Sequence, residues 1–172
     1  MSDIKQYMSG FKVILLYIVL GFLVGIVITN TLVKIVRVPS SSMEPTINAN
    51  SKLVVSLVSY VRNKVQRGDV IVFSMGNKDY TKRVLALPGE TIKCINGQIY
   101  INNNLLEESY NTIGVTSDFD EVVVPTDCYF VLGDNRENSF DSRYWHYPFV
   151  TKDQIFGRIV MELTPKFKLI SR

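Results

Sequence analysis

The chain is divided by the stretch Val38-Pro39-Ser40-Ser41-Ser42-Met43-Glu44-Pro45-Thr46. Before it lies one long apolar run, and after it lies every segment that could fold as a globular domain. Both prolines fix their own φ and favour an extended backbone in the residue before them. In an extended chain, Ser40 and Ser42 face one side and Ser41 faces the other. Taken by itself, a stretch rich in serine and proline is also typical of a linker that leaves a membrane.

The apolar run extends from Val13 to Val33 and contains no charged residue. Because an α-helix rises about 1.5 Å per residue, such a run can cross a bilayer core of roughly 30 Å. It is too long for the apolar part of a cleaved signal peptide, and no small-x-small site follows it before Lys34. The sequence therefore predicts a permanent transmembrane anchor over residues 13–35, after an N-terminal segment over residues 1–12. The nearby positive charges balance, so the positive-inside rule does not decide the orientation.

The remainder, residues 36–172, is predicted to form a single mainly β domain, because no segment in it shows sustained helical periodicity. Asn96-Gly97 is a strong signal for a tight hairpin. We predict loops at Asn102–Asn104 and Gly114–Asp120. Predicted strands are Lys52–Val61, Asp69–Phe73, Ile92–Cys94, Gln98–Ile101, Val122–Val124, Asp127–Leu132 and Gln154–Leu163.

Composition argues against several classes of function. The formal net charge of +3 is spread along the chain without a basic stripe, which argues against nucleic-acid binding. One histidine and two cysteines, with no cluster of the two types, argue against a metal site. Cys94 and Cys128 are too few for a disulfide framework, and we expect two buried thiols, with pairing across neighbouring strands as the alternative. No cofactor is expected.

A serine nucleophile needs a neutral base, and the sequence offers two candidates. His146 is the only histidine and would imply a Ser-His-Asp triad, although the chain has no recognisable nucleophile elbow. Lys82 has apolar neighbours, and burial lowers a lysine pKa from about 10.4. Lowering it by ~2 units costs about 3 kcal/mol. If residues 80–84 form a strand, Tyr80 shares the Lys82 face and Arg83 points to the other. The alternative is that Lys82 and Arg83 form a solvated charge pair.

Four blocks of sequence resemble bacterial type I signal peptidases, which are membrane serine proteases with a Ser–Lys dyad. They occur in the order of that family and together span the chain from the apolar run onward. The resemblance implies a signal-peptidase-like catalytic domain outside the cell membrane, a single transmembrane pass and a cytoplasmic N-terminus. The blocks are Pro39–Thr46, Gly68–Phe73, Lys82-Arg83 with Leu87-Pro88-Gly89, and Gly133-Asp134-Asn135-Arg136-Glu137-Asn138-Ser139-Phe140-Asp141-Ser142-Arg143.

The resemblance also implies roles for individual residues. Ser42 would be the nucleophile and Lys82 the general base. Ser40 would donate to the developing oxyanion together with the Ser42 backbone N–H, and Ser139 would orient the Lys82 amine. Ser41 stands where many relatives carry a small residue. Two ion pairs would fix the last block as structural support, Arg83 with Asp134 and Asp141 with Arg143.

A further set of apolar residues matches family positions that line shallow pockets for small substrate side chains. The alternative for each is an ordinary position in the core. The set comprises Val36, Val38, Met43, Ile47 and Tyr80.

By this resemblance the chain is a membrane-bound endopeptidase that removes signal peptides from exported preproteins by cutting after small residues. Its partners would be those signal peptides and the lipid bilayer. Two alternatives remain open: a non-catalytic anchored β domain that binds exported chains, and the same protease dedicated to pilin-like or conjugation proteins. The sequence leaves the oligomeric state open.

Overall fold

The computed structural model describes residues 12–25, 32–62 and 64–171, and within them the protein is mainly β, as predicted. A helix α1 covers residues 12–25, and a one-turn helix α2 covers Ser59–Arg62. A short 3₁₀ helix covers Lys152–Gln154. The strands are β1 Val33–Val38, β2 Ser51–Ser56, β3 Val70–Met75, β4 Lys78–Ala86, β5 Thr91–Ile95, β6 Gln98–Ile101, β7 Asn104–Leu105, β8 Phe119–Val123, β9 Cys128–Leu132, β10 Val150–Thr151, β11 Ile155–Glu162 and β12 Lys168–Leu169.

The predicted N-terminal segment 1–12 lies almost wholly outside the described residues, and so do residues 26–31 of the predicted anchor. Within the described ranges, no helix is both long and apolar enough to cross a membrane. Strand β1 includes residues 33–35, which the prediction assigned to the anchor. These residues pair with β2, from Val33 opposite Ser56 to Val38 opposite Ser51, so the β domain begins earlier than residue 36.

The larger sheet has eight strands in the order β1-β2-β11-β3-β4-β9-β10, with β12 paired to β11. Burial alternates along β2, whose one face packs on the core, whereas all five residues of β9 are buried. A strand buried on both faces is expected to be a continuous apolar run, as β9 is. Strand β4 lies between β3 and β9, so its side chains reach the interior of the domain.

The smaller sheet has four strands in the order β7-β6-β5-β8. Its β5–β6 hairpin turns at Asn96 and Gly97, with φ of 52° and 77°, which confirms the predicted tight turn. One apolar cluster joins this sheet to β4 and β9, and Phe119 stacks on Phe130 across the junction with ring centroids 5.3 Å apart. Both cysteines are buried in this cluster as free thiols, as predicted.

Several predicted boundaries differ from the structure. The strand predicted over Lys52–Val61 ends at Ser56 and is followed by α2, where the Tyr60 hydroxyl donates to Asp69 Oδ2 at 3.1 Å. Gln154 belongs to the 3₁₀ helix rather than to the following strand. Asn104 and residues 119–120, predicted as loops, lie in short strands: Asn104 pairs locally with Ile101, whereas Phe119 pairs with Cys94, which is distant in sequence. Such tertiary pairing is not visible in a local pattern.

Gly157 allows β11 to approach β2 closely. A Cβ added there would lie 2.8 Å from the Ser56 carbonyl oxygen and would also collide with Cγ1 of the buried Val55. Because an overpacked core typically loses about 1–3 kcal/mol, we expect Gly157→Ala to lower the free energy of unfolding by that amount. Gly21→Ala is the control, since a Cβ there meets nothing within 4 Å. Denaturant unfolding of both variants checks the prediction, and equal stability of the two would contradict it.

Candidate active site

The serine-rich stretch ends in a turn rather than continuing in the extended form considered above. The Glu44 N–H donates to the Ser41 carbonyl oxygen at 3.1 Å, and the Ile47 N–H donates to the Met43 carbonyl oxygen at 2.8 Å. The serine hydroxyls still diverge as the alternation indicated. Ser40 Oγ lies 3.3 Å from Ser42 Oγ, whereas Ser41 Oγ accepts a hydrogen bond from Asn138 Nδ2 at 2.9 Å.

Strand β4 brings the Lys82 side chain to Ser42. The Lys82 Nζ donates to Ser42 Oγ at 2.7 Å, and the two residues are 3% and 8% exposed. Burial lowers the pKa of the Lys82 amine to about 8, although the charges of Asp141 and Asp134 raise it and that of Arg143 lowers it. A mildly alkaline solution therefore holds much of this amine neutral, and a neutral amine can accept the proton of a hydroxyl.

Arg83, the next residue of β4, forms the predicted contact with Asp134. Its Nε and Nη2 donate to the two carboxylate oxygens at 2.8 and 2.7 Å, and both side chains are fully buried. The guanidinium also donates to the Gly68 carbonyl oxygen at 2.7 Å and stacks on the Tyr110 ring, 3.8 Å from its centroid. Arg83 thereby joins β4, the loop after β9 and the segment before β3.

The predicted contact between Asp141 and Arg143 is also present. Arg143 Nε and Nη2 donate to the Asp141 carboxylate at 2.8 and 2.9 Å, and Asp141 Oδ2 accepts from the Gly133 N–H at 3.0 Å. Arg143 further donates to the Arg136 carbonyl oxygen at 2.8 Å. The pair closes the two ends of the 133–143 loop on each other.

Ser139 does not make the predicted hydrogen bond to Lys82. Its buried hydroxyl has no hydrogen-bond partner within the described part of the chain and lies against Gly133. A Cβ added at Gly133 would collide with Ser139 Oγ and with the Ser42 carbonyl oxygen. Only a glycine therefore lets the loop approach the Ser42 backbone and the Ser139 side chain this closely.

A cleft of about 240 Å³ opens beside Ser42 and Lys82. Of the predicted pocket residues, Val36, Val38 and Tyr80 line it. Met43 and Ile47 do not, because the turn directs them into the core, where both are fully buried. For these two residues the prediction of a pocket role is wrong, and the alternative of an ordinary core position is the one that the structure shows. Sequence reasoning did not single out other lining residues, among them Val72, Asp79 and Thr81.

Arg136, which lies in the motif Gly133–Arg143, supports the loop from within. Arg136 is 2% exposed and donates to the Gly133 carbonyl oxygen at 3.0 Å and to Thr116 Oγ1 at 2.8 Å. It also pairs with Glu108, which in turn accepts from the Tyr110 hydroxyl at 2.7 Å. Arg136 could have been found from the sequence because it lies in the motif Gly133–Arg143. No sequence pattern indicated its partners Thr116, Glu108 and Tyr110.

His146 is exposed, and Ser42 Oγ is hydrogen-bonded to Lys82 and Ser40 instead. This geometry favours the lysine over the histidine as the base. Among the described residues, no group of three or more His, Cys, Asp or Glu side chains is placed to hold a metal ion.

Comparison with known proteins identifies the family. The model of the family "Signal peptidase, peptidase S26" matches residues 11–164. The chain belongs to the signal peptidase family. Signal peptidase I from Leptolyngbya laminosa is 39% identical over 173 residues, which cover 94% of this chain and 82% of that protein. The probable signal peptidase I-2 from Synechocystis is 36% identical over 136 residues, 74% of this chain and 62% of that protein.

A solved signal peptidase I from Enterococcus faecalis V583 is 34% identical, with a TM-score of 0.48 over 56% of this chain and 97% of that one. The family match and the curated relatives assign this peptidase the activity of a signal peptidase I, a hydrolase that processes signal peptides.

The buried Lys82 lowers the stability of this peptidase in a way that depends on pH. Because its folded pKa is about 8 and its ordinary value is 10.5, the unfolded chain binds more protons between these values, and stability rises with pH across that window. Below this pH window, the buried charge lowers the free energy of unfolding by about 3 kcal/mol, because each pKa unit corresponds to about 1.36 kcal/mol. We therefore expect Lys82→Met to be more stable than the wild type at about pH 7 and to lose this pH dependence. Denaturant unfolding of both proteins at about pH 7 and about pH 10 measures the difference in stability and its dependence on pH.

Lys78→Met is the matched control, because Lys78 is exposed on the same strand. It removes one lysine without removing a buried charge, so we expect its stability curve to follow that of the wild type. A Lys82→Met variant no more stable than wild type at about pH 7 would contradict the assigned cost of burial.

Proposed function

We propose that this chain is a membrane-anchored serine endopeptidase in which Ser42 is the nucleophile and Lys82 the general base. The observation that carries the proposal is the 2.7 Å hydrogen bond between Lys82 Nζ and Ser42 Oγ, two buried side chains. Burial, which lowers the pKa of that amine to about 8, supplies the neutral base that a serine hydroxyl requires.

In the proposed mechanism, neutral Lys82 takes the Ser42 proton as Oγ attacks the carbonyl carbon of the scissile bond. The carbonyl oxygen becomes an oxyanion, which accepts hydrogen bonds from the Ser40 hydroxyl and the Ser42 backbone N–H. Protonated Lys82 then donates its proton to the leaving amine, and an acyl-enzyme remains on Ser42. A water molecule deprotonated by Lys82 attacks the ester, which releases the new carboxylate and restores the hydroxyl.

We further propose a single membrane pass with the catalytic domain on the external side. The charge-free run from Val13 to Val33 supports the anchor. The nine residues from there to Ser42 reach at most roughly 30 Å, so the nucleophile would work near the bilayer surface. That location suits a substrate whose apolar segment stays in the membrane while its cleavage site emerges.

The cleft supports a preference for small side chains in the substrate. Its walls include the apolar side chains of Val36, Val38 and Tyr80 next to the dyad, and its volume of about 240 Å³ leaves little room for large groups. We expect cleavage after a small residue, preferably alanine, with another small residue two positions earlier. Mass spectrometry of the products of a secretory precursor maps the cut, and cuts mainly after basic or aromatic residues would refute this specificity. Ser42→Ala, expected to be folded and inactive, is the control for contaminating proteases.

The pH dependence of turnover separates the lysine from the histidine mechanism. If Lys82 acts as a neutral amine, kcat/KM rises with pH through its folded pKa of about 8. We expect Lys82→Arg to be inactive, because a guanidinium does not release its proton in this range. We expect His146→Ala to keep both the rate and the rising limb. A limb near about 6.5 that disappears in His146→Ala would instead establish the histidine as the base.

A further inference from the structure

Asn135 makes contact with the backbone on both sides of Ser42. Its own N–H donates to the Ser42 carbonyl oxygen at 3.1 Å, and its side-chain Nδ2 donates to the Ser41 carbonyl oxygen at 3.3 Å. Asn135 is 8% exposed, so water competes little for these bonds. One residue therefore binds the two carbonyl groups that flank the proposed nucleophile.

This pair of contacts limits the rotation of Ser42. The peptide units before and after a residue are planar, and only the φ and ψ of that residue set their relative orientation. Holding both carbonyl oxygens consequently fixes φ and ψ of Ser42. In a trans peptide the N–H points opposite to the carbonyl oxygen of the same plane, so the bond from Asn135 to the Ser41 oxygen also sets the direction of the Ser42 N–H. That N–H has no acceptor among the described residues.

The Asn135 amide is itself held in the required orientation. Its Oδ1 accepts from the Asn138 N–H at 3.3 Å, which leaves Nδ2 to face the Ser41 oxygen. Its backbone is bound on both sides by Ile113, whose N–H donates to the Asp134 oxygen at 3.0 Å and whose oxygen accepts from the Arg136 N–H at 2.8 Å.

We propose that Asn135 is a positioning residue that fixes the peptide planes around Ser42 and thereby aims the Ser42 N–H at the carbonyl oxygen of the substrate. This inference rests on the proposed function, in which that N–H stabilises the oxyanion. Asn135 itself touches neither the substrate nor Oγ of the nucleophile. Its contribution is realised when the oxyanion forms, so it acts on kcat more than on KM.

The test compares Asn135→Ala with Asn138→Ala in the purified full chain, on a precursor peptide with alanine at the cleavage site and two positions before it. Both variants lose an amide from the same loop, but within the described residues the Asn138 amide donates to the Ser41 hydroxyl and not to the backbone around Ser42. Complete loss of an oxyanion donor typically lowers kcat by about 10²–10³-fold. We expect Asn135→Ala to lower kcat by about tenfold or more, because it misdirects the Ser42 N–H without removing it. We expect Asn138→Ala to stay within about threefold of the wild type, and both variants to keep KM and the rising limb near pH 8.

A peptide aldehyde gives a readout that a merely structural role would not change. Ser42 Oγ adds to the aldehyde carbon, its proton passes to Lys82, and the carbonyl oxygen becomes a hemiacetal oxyanion at the site of the proposed donors. We expect Asn135→Ala to weaken inhibition by the aldehyde by the same factor as kcat, and to leave inhibition by the corresponding peptide alcohol unchanged. The alcohol has no carbonyl oxygen and reports only ground-state binding.

Some results would overturn the inference. These are an Asn135→Ala kcat within about threefold of the wild type, equal losses in both alanine variants, or a loss that lies in KM alone. If Asn135→Ala does not unfold cooperatively, Asn135→Asp decides, since it keeps the acceptor for Asn138 and lacks the donor. Its kcat is then read on the plateau above the rising limb, where Lys82 is neutral despite the added charge. An active Ser42→Ala would refute the proposed function itself, whereas an inactive Ser42→Ala beside a fully active Asn135→Ala would refute only the role of Asn135.

Discussion

The fully buried ion pair between Arg83 and Asp134 is the contact on which the arrangement of the site depends. Arg83 follows Lys82 directly on β4, and Asp134 lies between Gly133 and Asn135, the two residues that approach the Ser42 backbone. Removing one partner of a buried pair typically costs about 3–5 kcal/mol, because the other charge is left without compensation. The loop can therefore leave the strand only at a cost comparable to much of the stability of a domain. In this way one pair fixes the distance between Lys82 and the backbone of Ser42.

The low pKa of Lys82 depends on how the neighbouring charges are paired. Asp134 and Asp141 lie close enough to raise it, and an unpaired carboxylate at that distance would raise the pKa of the amine further, so that a more alkaline solution would be needed to make it neutral. Each of these carboxylates is bound by an arginine through two hydrogen bonds, Asp134 by Arg83 and Asp141 by Arg143. With the negative charges compensated in this way, desolvation by burial is the dominant influence on the amine. The ion pairs thus influence the pKa of Lys82 as well as the rigidity of the loop.

The parts of the structure that could be predicted from the sequence are those with a local cause. The Asn96-Gly97 hairpin follows from the conformations that those two residues tolerate, and the opposite directions of Lys82 and Arg83 follow from strand alternation. The short helix at Ser59–Arg62 was missed, because a Val-rich segment favours a strand and the hydrogen bond from Tyr60 to Asp69 is tertiary. The inward direction of Met43 and Ile47 and the orientation of the Ser139 hydroxyl depend on a turn and a glycine contact that no periodic pattern contains. The contact of Arg136 with Glu108 joins residues 28 positions apart, beyond the reach of motif reasoning.

The free cysteines have a consequence for how the domain matures. Cys94 and Cys128 share an apolar cluster without being bonded to each other, and burial with the nearby Asp118 carboxylate raises the pKa of the Cys94 thiol to about 11. Since the thiolate is the form that reacts with oxidants and disulfides, this thiol is chemically inert in the folded protein at neutral pH. A domain that folds on the outer side of a membrane would then need neither an oxidase nor a disulfide isomerase.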